Sequence, residues 1–361
     1  MITQWLPKLA SLAVAAVLSL PGTAARAAPA ADIVAASKSE QRLLIYSNMG
    51  TDNWNPIIKG FNQLYPWIKV ETLNLGASEP ISRYEAETGT GVNSADFIVT
   101  GSISDWIRFA DKKLAADYAT SEDAALPDWS KPFPGVYTFS TDPMVLGYNK
   151  LLLGADQQPD TFAGFTKVVV DHPELFKGKI GSYGADGFGG SINWAFVRHH
   201  GDKAWQWLDA IGPSVKAGDG SGAMIEKLTR GENTAVYFLS GPVVMPKMDA
   251  GLDQVITWKY ITDGTPVFMR GMAITAKAKN LNSAKLMLEY LLSADGQVAV
   301  SQAGFMPYRS GLPADKLRFG SLEQLAQKIG ETNIIMINYD REMLTGFDAF
   351  AQRWAKAIGQ K

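Results

Sequence analysis

Residues Leu43 to Phe61, LLIYSNMGTDNWNPIIKGF, decide how the rest of the chain is read. The run Leu43-Leu44-Ile45-Tyr46 is short and apolar and fits a buried strand. Ser47 to Asn53 is small and polar and fits a loop. Trp54, Ile57, Ile58, Phe61 and Leu64 then recur at helical spacing. A strand, a polar loop and a helix make the start of a βαβ unit. In open α/β sheets ligands lie beyond the carboxyl ends of such strands, where helix N-termini present free N–H groups. The loop offers Ser47, Asn48 and Thr51 as neutral partners, with no cation and no residue suited to attack a bound molecule. A plainer reading stays open on this stretch alone: the loop turns the chain, and Asp52 or Asn53 caps the helix.

Outward from this stretch the arrangement recurs. Ile68 to Leu73 alternates as a second strand, and Ile81 to Thr88 is a polar helix. Ala95 to Val99 is a third buried strand. It runs into a second small loop, Thr100-Gly101-Ser102, and a helix from Ile103 to Ala110. Two loops at the carboxyl ends of parallel strands are placed to converge on one ligand. Ala115 to Pro134 is irregular. Strand patterns at Val136 to Phe139 and Met144 to Tyr148, separated by Ser140 to Pro143, read as a crossover into a second domain. There the same logic returns: a helix from Phe162 to Val170, a strand at Ile180, a Gly-rich loop from Gly181 to Ser191, and helices Ile192 to His200 and Lys203 to Ile211. Gly218 to Gly222 opens another helix, and the strand Thr234 to Leu239 leaves through Ser240-Gly241-Pro242. Gln254 to Tyr260 and Pro266 to Thr275 are further strands, the second returning to the first domain. Ser283 to Leu292 and Asp295 to Ala303 are helices. The tail from Leu322 to Ile358 reads as helical with a break near Thr332 to Tyr339. Ala28 to Lys38 reads as a loose terminus.

The 361 residues, 46% hydrophobic, are enough for about two domains. A net charge of −2 gives no basic footprint, so no nucleic-acid partner is expected. With no cysteine there are no disulfides, thiolate metal sites or Cys nucleophiles. At the N-terminus Lys8 precedes an apolar run, Leu9 to Leu20, broken by Pro21-Gly22 and followed by Ala25-Arg26-Ala27. That is the pattern of a secretory leader cleaved near Ala27, with a run too short to span a bilayer. The mature protein is expected to be exported.

Several segments together carry a family resemblance. They are LLIYSNMGTDNWNPIIKGFNQLYPWIKVE, NSADFIVTGS, MVLGYNK, LFKGKIGSYGADGFGG, GSGAMIEKLTRGENTAVYFLSGP and KNLNSAKLMLEYLLSADGQVAVSQAGFMPYRSG. In order and spacing, from Leu43 to Pro313, the chain resembles the extracellular solute-binding proteins of bacterial ABC importers. The similar group includes ferric-ion-binding proteins and their phosphonate- and sugar-phosphate-binding relatives. The resemblance implies an α/β, two-lobed, type II periplasmic-binding fold with the ligand in the interlobe cleft. Lobe 1 is expected over residues 41–135 and 270–315, and lobe 2 over 136–269 and 316–361. It further implies a monomer, a small-molecule ligand, an ABC permease in the inner membrane as partner, and no cofactor. One departure bears on the ligand. The tyrosine pair of ferric-binding members falls at Gly241 and Pro242 here, with Tyr237 upstream, and Ser47 and Asn48 occupy the loop that carries their histidine. Ferric iron needs anionic oxygen ligands, and these residues supply none.

The expected ligand-binding residues are Ser47, Asn48 and Thr51, then Thr100, Gly101 and Ser102, from the first lobe. Gly190, Ser191, Gly220, Ser221 and Ser240 come from the second, with Arg270 on the return strand as the one charge and Tyr137 as a stacking ring. Tyr183, Phe188 and Trp54 are further stacking candidates. No metal site is expected, because His199 and His200 are adjacent on a helix and point apart, and the three histidines read as structural. There is no S-x-x-K, G-x-S-x-G or H-E-x-x-H motif, so a hydrolase is disfavoured. The favoured reading is a receptor for a phosphonate, phosphate ester or carboxylate. The alternatives are a ferric-ion transport protein and a periplasmic sensor docking a receptor.

Overall fold

The computed structural model describes residues 29–185 and 187–359, so the leader and Asp186 lie outside the described residues. The chain begins α1 (Ala31–Glu40), β1 (Arg42–Ser47), α2 (Thr51–Leu64), β2 (Lys69–Asn74), α3 (Glu79–Gly89), β3 (Phe97–Thr100) and α4 (Ile103–Asp111). A single fourteen-residue strand, β4 (Val136–Asn149), follows. Then come α5 (Phe162–Asp171), α6 (Pro173–Phe176), β5 (Ile180–Ser182), α7 (Gly187–His200), α8 (Asp202–Ile211), β6 (Val215–Ala217), α9 (Ser221–Thr229), β7 (Ala235–Ser240) and α10 (Gly241–Met248). The last part is β8 (Ile256–Lys259), β9 (Thr265–Ile274), α11 (Leu281–Leu292), α12 (Ala294–Gln302), α13 (Leu322–Ile329), β10 (Ile334–Ile337) and α14 (Glu342–Ala357).

The two lobes repeat one strand order. In the first, β2, β1 and β3 are parallel neighbours, and β9 and then β4 add antiparallel beyond β3. In the second, β6, β5 and β7 are parallel, and β4 and then β8 add antiparallel beyond β7. β4 therefore leaves one layer and enters the other near Pro143, where its partner changes from β9 to β7. All fourteen of its residues are buried, as expected for a strand covered on both faces. The gap expected at Ser140 to Pro143 is instead continuous strand, because β9 pairs along it: Ser140 lies opposite Arg270 and Asp142 opposite Phe268. The tail break expected near Thr332 to Tyr339 contains β10, a parallel neighbour of β9.

Two local features shape the ends of the strands. Between Val145/Leu239 and Gly147/Val236 the β7 side carries one extra residue, and Phe238 takes φ = 57°. Such a bulge turns consecutive side chains to one face. Tyr237 and Phe238 accordingly both pack on Phe162. The Gly-rich stretch expected as a loop is partly helix: α7 starts at Gly187. Gly190 lies under α14, and a Cβ there would stand 2.2 Å from the Phe347 ring.

The N-terminal segment corrects the expectation of a loose terminus. α1 places Ser37 under the Trp67 indole N–H at 3.1 Å and Lys38 over the same ring. At its end Glu40 accepts from the Asn282 and Ser283 backbone N–H groups and from both side chains. It thus caps the N-terminus of α11, which has no side-chain cap of its own. Glu40→Ala should cost about 1–2 kcal/mol, the scale of a lost helix cap. It should be read as a lower urea midpoint with an unchanged slope. An unmoved midpoint would mean that α1 does not hold the lobe.

Candidate functional site

Alternation along the paired crossing strands puts Ser140 and Asp142 of β4 on the same face as Phe268 and Arg270 of β9. Arg270 reaches diagonally to Asp142, with Nε and Nη2 at 3.2 and 3.0 Å from Oδ2. Ser140 donates to Oδ1 at 2.8 Å. Asp142 is 1% exposed and Arg270 7%. Burial pushes the Asp142 carboxyl up from its usual range, and the Arg270 charge pulls it back. Both of its oxygens accept hydrogen bonds, the pattern that suits the ionised form.

The pair sits where the lobes meet. From the first lobe, Asn48 accepts from Arg270 Nη1. Gly101 leaves room for the Phe268 ring: a Cβ there would lie 3.2 Å from that ring, and at an ordinary contact distance of 3.7 Å from Arg270 Nη1. The Phe305 ring lies under the guanidinium, 5.1 Å away. From the second lobe, Phe188 packs on Phe268 at 4.5 Å and Tyr183 on Phe188 at 5.1 Å. The Tyr183 phenol is 2.6 Å from the Ser221 hydroxyl, which also accepts from the Ser240 N–H at 2.9 Å. Burial raises the Tyr183 pKa, while the Arg270 charge acts to lower it. An aromatic path thus runs from Arg270 to the N-termini of α9 and α10. Neither helix has an acidic residue in its first turn.

The expected site residues divide. Asn48, Gly101 and Arg270 meet directly, and Ser221 accepts from the Ser240 N–H beside Tyr183. Thr51 and Gly220 are exposed at the starts of α2 and α9, and Ser102 lies beside Ser78. Others face away. Ser47 is fully buried and accepts from the Trp54 indole at 2.9 Å, which places both in the first-lobe core. Thr100 donates to the Ala77 carbonyl. The Tyr137 hydroxyl is taken up by the Tyr118 carbonyl and the Thr120 N–H. Gly190 packs under α14, and Ser191 bonds the Phe188 carbonyl and lines another cavity. That cavity, about 590 Å³, lies between α7 and β10, where Arg198 is engaged by Glu342 and Asp340. Sequence reasoning missed Asp142, Phe268 and Phe305. A signal was present for the first: Asp142 and Arg270 are the lone charges in β4 and β9.

His200 lies against Phe196 and Trp207. Burial, and then the neighbouring His199, lower its pKa to about 4.

A family model described as bacterial extracellular solute-binding protein matches residues 57–318. The chain belongs to that family. Its fold is that of solved relatives at low identity. A substrate-binding protein of an ABC transporter from Agrobacterium tumefaciens superposes with a TM-score of 0.76 at 20% identity, over 89% of this chain and 96% of that one. The apo ferric ion-binding protein A of Pasteurella haemolytica gives 0.67 at 17%, over 89% and 99%. The periplasmic binding protein AfuA of Actinobacillus pleuropneumoniae, solved with fructose-6-phosphate, gives 0.62 at 20%, also over 89% and 99%. Among the described residues no group of His, Cys, Asp and Glu could hold a metal ion, and no helix is long and apolar enough to cross a membrane.

Two outcomes test this placement. Ser47→Ala leaves the Trp54 N–H unpaired in the core. It should cost about 1–3 kcal/mol of stability while changing solute affinity less than about twofold. A large affinity loss at unchanged stability would return Ser47 to the site. His200, with its folded pKa below the unfolded value near 6.5, takes up a proton more readily when unfolded. Its contribution is therefore present above about pH 6.5 and is lost as pH falls toward 4. His200→Gln should flatten the Tm–pH curve in that window, and an unchanged slope would contradict the assignment.

Proposed function

We propose that this solute-binding protein captures an anionic organic solute at Arg270 in the cleft between its lobes. It then passes the solute to an ABC permease in the inner membrane. The leader, cleaved near Ala27, delivers it to the periplasm, where it works as a monomer without a cofactor. On this reading lobe 1 takes 41–135 with 270–315 and lobe 2 takes 136–269 with 316–361, and the shared strands β4 and β9 support it.

One observation carries the reading. Arg270 is buried on a strand common to both lobes, yet only three of the five N–H donors of a guanidinium have partners among the described residues. The remaining two suit a carboxylate or phosphoryl oxygen. The acid-free first turns of α9 and α10 favour negative charge from the facing lobe. A ferric site has less support. Gly241 and Pro242 stand at the tyrosine positions, and Tyr237 is buried with its phenol pKa raised by burial. A sensing role would use the same cleft, and would differ in its partner.

The test is calorimetric titration with organic anions. Arg270→Gln combined with Asp142→Asn removes both charges together, so neither is stranded in the interior. This variant should keep its circular-dichroism spectrum and lose about a hundredfold or more in affinity, the scale of a buried charge-assisted contact. Retained affinity in a folded double variant would contradict the proposal.

A further inference from the structure

We infer that the solute is a monoanion with an aromatic or flat apolar body, rather than a dianionic, polyhydroxylated phosphate ester. This inference rests on the reading of Arg270 as the anion receiver, and narrows it.

Three observations point there. The first is charge. Arg270 is the cation that acts on both Tyr183 and Asp142, and Asp142 already offsets it. In the first lobe α2 opens with Asp52 in its first turn, so negative charge already occupies that helix N-terminus, whereas Asp105 at the start of α4 is paired with Arg108. With Asp142 offsetting Arg270, the acid-free starts of α9 and α10 are the remaining attraction for an anion, and they favour one negative charge over two.

The second is the wall. Phe305 lies under the guanidinium, Phe268 shares the Arg270 face of β9, and Phe188 and then Tyr183 pack in series on Phe268 from the opposite lobe. Phe188 and Tyr183 are only partly buried. Where Phe188 and Phe268 touch, a flat body can take the place of one ring against the other. Such contacts favour offset or edge-to-face aromatic partners.

The third is the fate of the hydroxyls. A sugar is recognised by donors and acceptors left free to meet its own hydroxyls. Here Ser47 serves Trp54, Thr100 serves Ala77, Ser140 serves Asp142, and Ser221 serves Tyr183 and the Ser240 backbone. These four hydroxyls are thus engaged within the protein, which leaves Thr51 and the Ser240 hydroxyl as the neutral groups open to a polyol.

The experiment titrates the mature protein, unfolded and refolded to strip carried-over solute, with phenylacetate, acetate, a hexose phosphate and inorganic phosphate. Phenylacetate should bind about tenfold or more tightly than the hexose phosphate. Phe188→Ala should weaken phenylacetate by about tenfold and acetate by less than about twofold. Asp142→Asn keeps an acceptor for Arg270 but removes the offsetting charge, so it is first checked for an unchanged circular-dichroism spectrum; the folded variant should shift the phosphate-to-phenylacetate preference toward phosphate by about tenfold. Suppose instead that the hexose phosphate binds more tightly than phenylacetate, and that its binding disappears in the Arg270→Gln, Asp142→Asn double variant. The narrowing is then wrong while the receptor reading stands. If anions bind equally well to the double variant, or no anion of the panel binds, both are overturned.

Discussion

The Arg270–Asp142 pair joins the two strands that both lobes share, and much of the cleft's chemistry follows from it. Both residues lie on one face of the β4–β9 ribbon because alternate strand residues share a face and the register places Ser140 opposite Arg270. With Arg270 7% exposed, its charge cannot be left to solvent, and Asp142 supplies the partner. Removing one member alone would strand the other, which is why a buried pair of this kind is fragile to single substitution. The same burial gives the remaining guanidinium donors their value, since a hydrogen bond to a desolvated cation is stronger than one in water.

The two lobes contribute unequally around this pair. The first lobe brings a carbonyl oxygen from Asn48 and a glycine at position 101, and it carries acids in the opening turns of α2 and α4. The second brings rings and acid-free helix starts, while the bulge in β7 turns Tyr237 and Phe238 together onto Phe162 in its core. Phe238 pays for that geometry with φ = 57°, an uncommon conformation for a bulky side chain. Strain of this sort persists where surrounding packing holds it, and here Phe162, Phe196 and Tyr237 do so.

Much of this was legible in the sequence, and the reasons for the rest are physical. The βαβ units from Leu43 to Ala110 showed themselves because buried parallel strands are short apolar runs and their helices are amphipathic. Ser140 to Pro143 read as a loop because polar residues and proline usually interrupt a strand. Here they continue it, because Ser140 and Asp142 face a buried arginine rather than solvent. Ser47 and Thr100 looked like ligand groups for their position at strand ends. Position did not reveal that Trp54 and the Ala77 carbonyl would claim them. α1 read as a loose tail because its composition is plain, and what orders it is Glu40 meeting α11 some 240 residues later. Long-range partners of this kind carry no local signature.

A crystal of the protein grown with para-bromobenzoate would locate the solute directly, because bromine gives an anomalous signal that protein atoms do not. A peak among Phe188, Phe268 and Phe305, with the carboxylate on the Arg270 guanidinium, is the expected result. A peak confined to the cavity between α7 and β10, with Arg270 still bound only to Asp142 and Asn48, would contradict the assignment of Arg270 as the anion receiver.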